Sequence, residues 1–171
     1  DLTMRLFSEE SKSGSMETLM TLPVNEVHVV TGKYLASFLS TLIMISPSIF
    51  YVITTAIFGD PDVGPIIGGY IGTIFLCAGF TAVGVFASSV TKNQIIAFFT
   101  GFIICIALTM IDTFLVFLPS NIVEFVSYIS ADMHFRSITQ GIIDSRDLVY
   151  FITVFALFFT ATIKVQQNAK K

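Results

Sequence analysis

Charge is scarce in this chain. Only 12% of its 171 residues are Asp, Glu, Lys or Arg, where a soluble globular domain carries roughly 25%. Net charge is -3, so nothing draws the chain toward nucleic acid. Two cysteines, Cys77 and Cys105, both lie inside apolar runs, which excludes a disulfide framework and a thiolate metal site. Two histidines, His28 and His134, are far apart in the chain and supply no triad or metal cluster. No Walker A pattern is present, so ATP hydrolysis is not read for this chain. Glu9-Glu10 invites comparison with the EExxxR helix of CAAX-processing membrane proteases. Gly14 stands where the arginine should be, and the later histidines are missing. Catalytic residues, cofactor sites and metal sites are therefore all read as none.

Apolar length is abundant. Hydrophobic residues make up 54% of the chain, with eighteen Phe, and mean hydropathy is +0.83. A helix crosses the bilayer core with about 20 apolar residues, and four stretches meet that: 34–59, 65–90, 94–118 and 148–165. Backbone polar groups cannot go unpaired in lipid, so each is read as a helix. The fold class is all-α, a polytopic integral membrane protein with four transmembrane helices, forming one membrane domain over 1–171. The first apolar run is too long for a signal-peptide core. With the N-terminus placed in the cytoplasm, Arg5, Lys12, Lys33, Lys92, Lys164, Lys170 and Lys171 lie inside, and only Arg136 and Arg146 lie outside. That bias puts both ends on the cytoplasmic side.

At the start of the second span, Gly64, Gly68 and Gly72 repeat at every fourth position and smooth one helix face for close approach. Packing within the subunit and a dimer seam or translocation path are both open readings. Pro47 removes a backbone donor and predicts a kink in the first span. Asp112 is the one acidic residue within a span; it is either an interfacial, hydrogen-bonded carboxylate or a contact for a proton, cation or substrate. The outer segment 119–147 is long for a connector. It holds two helix-spaced runs, 122–129 and 134–143, read as interfacial or re-entrant helices. If it caps the outer mouth of a pathway, the candidate pathway or gate residues are Asp112, His134, Phe135, Asp144 and Arg146.

Residues 1–33 precede the first span and contain MRLFSEESKSGSMETLMTLPVNEV, 4–27. Ser13-Gly14 breaks one helical run. Ser13 or Ser15 can cap the next, and Glu17 favours its N-terminal dipole. Met16, Leu19, Met20 and Leu22 give it an apolar side, and Pro23 ends it. Physics alone leaves two readings, an interfacial amphipathic helix or a docking knob for a soluble partner.

MRLFSEESKSGSMETLMTLPV resembles the signature segment of ABC-2 type transporter permeases, in particular the gliding-motility-associated branch. VTGKYLAS, GDPDVGPIIGGYIGTIFLCAGFTAVGVFASSVTKNQIIAF and HFRSITQGIIDSRDLVYF are similar to further stretches of that branch, in the same order. Ser15 stands where the family commonly has Thr, and either hydroxyl can cap. The resemblance implies a six-span permease half of which this chain is an N-terminally truncated fragment, in a prokaryotic plasma (inner) membrane. It implies a cytoplasmic ABC ATPase subunit as partner, carrying ATP and magnesium, and a second permease subunit in a homo- or heterodimer. The coupling helix maps onto 13–24, with Ser13, Gly14, Met16, Glu17, Leu19, Met20 and Pro23 as its partner-binding residues. The implied function is ATP-driven transport, with export the usual direction in the family. The alternatives are a non-transporting scaffold of a gliding or secretion machine, and a secondary transporter using Asp112.

Overall fold

A computed structural model describes residue 3 and residues 26–111, 113, 129–141 and 144–169. Among the described residues all regular structure is helical. Among these residues three helical stretches are long and apolar enough to cross a membrane: Val27–Phe58, Val63–Val90 and Ser145–Asn168. A fourth apolar helix, Gln94–Met110, is shorter. This is the build of a multi-pass membrane protein, since long apolar helices leave no backbone group unpaired in hydrocarbon.

The first stretch opens with α1, Glu26–Ile45. It begins ahead of the apolar run at 34, with VHVVTGK continuous with the rest of the helix. Its inner face is set by Val30 and Tyr34, which join Ala82 and Val85 in a buried cluster flanked by Phe38, Phe155, Phe158 and Phe159. The Tyr34 hydroxyl donates to the Ala78 carbonyl at 3.1 Å. At Pro47 the ladder tightens into a 3-10 turn, Ser46–Ser48. Proline has no N–H to give to the preceding turn, and the Ser46 hydroxyl donates to the Ile43 carbonyl at 2.8 Å. The chain resumes as α2, Ile49–Phe58, with no buried residue.

Gly59 ends α2, and Asp62 caps α3, Val63–Val90, by accepting the Gly64 N–H at 3.1 Å. Its 28 residues span about 42 Å at 1.5 Å per residue, more than the roughly 30 Å hydrocarbon core. α3 is the hub. It packs on α1 and on the three helices that follow, and it buries Gly68, Gly72, Gly79, the run Thr81–Val85, Ala87 and Ser88. Small side chains on several faces let neighbours close in from several directions.

A short turn follows, and Asn93 caps α4, Gln94–Met110, by accepting the Ile95 N–H at 3.0 Å. α4 turns Ala97 and Gly101 inward and leaves Phe99, Phe102 and Ile103 exposed. The sequence-read span 94–118 continues past it; Asp112 and residues 114–128, which hold all but the last residue of the run 122–129, lie outside the described residues.

Ser130 caps α5, Ala131–Thr139, by accepting the Met133 N–H at 3.4 Å. The helix differs from the run read at 134–143. It starts earlier because Ser130 is its cap. It stops earlier because Gly141 adopts φ +82, a left-handed conformation that glycine takes without steric cost. The last helix, α6, Ser145–Ala169, extends beyond the apolar stretch 148–165 at both ends. Its start is fixed by Asp144, whose Oδ1 accepts the Arg146 N–H at 3.1 Å.

Candidate functional site

The best-built region among the described residues lies where α5 rests on α3 and α6. It is assembled from the smooth face of α3 upward. A Cβ at Gly68 would run into the Ile138 carbonyl oxygen, with the Gly141 Cα at 3.2 Å. A Cβ at Gly72 would meet Ile138 Cγ2 at 3.2 Å and Phe135 Cε2 at 3.3 Å. Ile138 is fully buried. The two glycines thus admit the backbone of α5 at one level and its Phe135 and Ile138 side chains at the next. Gly64 sits differently. It is exposed at the start of α3, and among the described residues a Cβ there would meet only the Asp62 side chain, at 3.5 Å. The regular spacing therefore hides two environments, because the first member lies in the capping turn and not under α5.

Phe135 also walls an open groove of about 290 Å³ between the break in the first stretch and α3. Ile45, Ser48, Pro65, Gly69 and Tyr70 line it as well. Ser48 and Tyr70 share a hydrogen bond of 2.9 Å. This bond ties the 3-10 turn at Pro47 to α3. Among the described residues a Cβ on Gly69 would meet nothing within 4 Å, unlike one on its obstructed neighbour Gly68.

On the other side of α5, His134 Nδ1 lies 2.6 Å from Asp147 Oδ1, with side chains 11% and 8% exposed. The imidazole stacks on Tyr150, centroids 4.4 Å apart, and the Tyr150 hydroxyl donates to the Ile129 carbonyl at 2.7 Å. Asp147 Oδ2 is buried and has no hydrogen-bond partner among the described residues. The Asp147 N–H in turn bonds the Asp144 carbonyl at 3.2 Å. These contacts pin the entry to α5 and the first turn of α6 to each other. Outside the pair, Asp132 and Arg136 form an ion pair of 2.6 Å one turn apart along α5.

Of the residues singled out in the sequence, the structure brings Gly68, Gly72, Phe135 and His134 to this region. Asp144 and Arg146 are exposed at its edge. The Arg146 backbone N–H, the Arg146 charge and the Ser145 hydroxyl hold the Asp144 carboxyl below its usual value, so it acts as a helix cap. Asp112 and the coupling residues Ser13, Gly14, Met16, Glu17, Leu19, Met20 and Pro23 lie outside the described residues. Sequence reading missed Asp147, Tyr150, Ser130 and the Ser48–Tyr70 link. Asp147 carried a usable signal, an acidic residue in the first turn of an apolar helix with an aromatic ring three positions on. Among the described residues no group of three His, Cys, Asp or Glu side chains could hold a metal.

The chain matches the model of a protein family described as ABC-2 family transporter protein over residues 2–165. No match was found among curated proteins or among solved structures. The match spans nearly the whole chain, and the chain belongs to the ABC-2 transporter family.

Proposed function

We propose, from membership of the ABC-2 transporter family, that this chain is the permease of an ATP-driven transporter and takes its energy from a separate cytoplasmic ATPase. The observation that carries the reading is the family match over 2–165 on a chain of long apolar helices. Four spans cross the membrane in this reading, α4 being the inner part of the third. Lys and Arg distribution supports cytoplasmic ends and an extracytoplasmic α5, in a prokaryotic inner membrane. The ATPase subunit, with its ATP and magnesium, docks on 13–24, where Glu17 and the Met16, Leu19 and Met20 side meet it. A second permease subunit completes the unit, and export is the direction. The order of the quoted motifs favours the gliding-motility-associated branch.

Closing of the ATPase subunits pushes on 13–24, and the push reaches α1 directly along the chain. α1 is packed on α3 and α6 through the cluster around Tyr34, so a tilt of α1 moves the hub. The Ser48–Tyr70 link carries the same tilt to the level of α5. The permease itself performs no hydrolysis in this scheme; its side chains transmit force and shape a path.

Crosslinking tests the coupling. A cysteine at Glu17, in a chain with Cys77 and Cys105 replaced by Ala, should be captured by the co-expressed ATPase subunit through a short thiol crosslinker. Assembly of the complex without capture at Glu17, Met16 or Met20 would place the contact elsewhere and sink the coupling role of 13–24.

A further inference from the structure

Given ATPase docking at 13–24, on which this rests, we propose that the chain between Thr3 and Glu26 is clamped at both ends on the C-terminal part of α3. Gly84 is the seat through which a push on that chain moves the hub. Force then has a second point of entry, one that bypasses α1.

Gly84 is buried, and a Cβ there would run into the Thr3 hydroxyl oxygen, with the Thr3 Cβ at 2.9 Å and its Cγ2 at 3.4 Å. Thr3 is helical. A β-branched residue therefore lies directly on the α3 backbone, an approach that glycine admits. The same device seats α5 on Gly68, nearer the other end of α3. A Cβ has no rotamer freedom, so a side chain on Gly84 must displace the turn that carries Thr3.

The chain returns at the same level. α1 starts at Glu26, and one turn on, Val30 and Tyr34 join Ala82 and Val85 in one buried cluster. By helical spacing, Gly84 points roughly 130° away from the Ala82 and Val85 side. It points roughly 150° away from the side where a Cβ on Gly79 would meet Val154 and where Phe86 packs on Phe158 of α6. Thr3, α1 and α6 thus hold α3 from three sides. This accounts for the run Thr81–Val85, which is buried at consecutive positions and so on every face. Residues 4–25 leave from one side of that ring and re-enter on another.

The mechanical consequence follows from the two anchors. A segment tied only to α1 would swing that helix and leave the others to follow through side-chain contacts. A segment tied at both ends to one level of α3 delivers its displacement to that helix. Close-packed interiors transmit strain, and α3 packs on α4, α5 and α6, so a shift at Gly84 reaches all three.

The test uses the full chain in nanodiscs with the ATPase subunit that co-purifies, in a Cys77→Ala, Cys105→Ala background. Thr3→Cys with Gly84→Cys reads the contact. The pair should form a disulfide under mild oxidation, because an outward shift of about 1 Å reaches disulfide spacing. Absence of that disulfide overturns the clamp. Transmission is read by the maleimide modification rate of a single cysteine at Val27, near the start of α1, or at Val90, the end of α3. Both positions are exposed. Trapping with ATP and vanadate should change the rate about tenfold at each, as when a minor state becomes the dominant one. Gly84→Leu should keep the response at Val27 and lose it at Val90, whereas a merely structural role would alter both together. Gly84→Ala should weaken the Val90 response, and adding Thr3→Gly should restore it by vacating the space. That pair decides the matter even where Gly84→Leu fails to assemble. A Val90 response unaltered by the Gly84 substitutions, or left unrestored by Thr3→Gly, overturns the clamp. Capture of the ATPase at Glu17 is scored in every background. Capture together with those results overturns the clamp alone, whereas no capture overturns the docking at 13–24 and the clamp with it.

Discussion

The first stretch, α1 with α2, and the hub α3 are nearly equal in apolarity and opposite in burial. Mean hydropathy over their most apolar windows is 1.8 and 1.9, yet none of the first window and half of the second is buried. α2 exposes Phe50, Tyr51, Ile57 and Phe58; α3 buries glycine, alanine, serine and valine. In water such exposed aromatic surface would be a liability. In lipid, tails are as apolar as Phe, so large side chains gain little from facing the protein interior. Helices meet where small side chains let their backbones approach. Hydropathy marks what crosses the membrane, and residue size marks what lies at its centre.

The largest break in this comparison should come from Gly72→Leu. Ile138 and Phe135 already crowd the position, and overpacking of that kind costs about 1–3 kcal/mol. The variant should lose most of its correctly assembled protein in detergent, with α5 displaced, as read by lowered Tm and by protease cutting within 129–141. A smaller effect is expected from Tyr34→Phe. The hydroxyl's bond to Ala78 is a polar link between α1 and the hub, and its loss should cost about 1 kcal/mol. Chemical unfolding in mixed micelles would measure it.

Asp144→Asn extends the comparison to the first turn of α6. The carboxyl of Asp144 is lowered from its ordinary 3.8 by the Arg146 N–H and charge. Its folded-state value is thus below its unfolded one, so its contribution is present above pH 3.8 and fades as pH falls through the lower folded value. Wild type should therefore melt slightly above Asp144→Asn at pH 6, and the gap should close in strong acid. The smallest effect belongs to Ile43→Ala, on the exposed side of the first stretch. It should stay within about 0.5 kcal/mol of wild type; a drop of several times that would mean another helix covers this face.

Much of this architecture could be read in the sequence, because apolar runs and capping residues are local signals. The second and fourth stretches, at 65–90 and 148–165, fall inside α3 and α6. Pro47 announced the break that Ser46–Ser48 makes. Local signals fail where partners are distant. Nothing in VHVVTGK says that Val30 will be buried against Ala82 and Val85. Gly64 and Gly68 look equivalent in sequence, yet only Gly68 lies under Ile138. His134 was legible as a candidate, but its partner Asp147, thirteen positions on, was overlooked beside Asp144 and Arg146, which are more conspicuous and serve the cap.

Gly68 and Gly69 provide the most direct measurement of the size argument. They are neighbours in one helix and identical in type. Among the described residues a Cβ on the first meets the Ile138 backbone, and one on the second meets nothing within 4 Å. Thermal unfolding of Gly68→Ala and Gly69→Ala in nanodiscs separates packing from propensity. Gly68→Ala should lower Tm clearly, because backbone must move. Gly69→Ala should leave Tm unchanged or raise it, since alanine favours a helix over glycine by about 1 kcal/mol. Equal shifts in both, or the larger loss at Gly69, would contradict a hub built on close approach at Gly68.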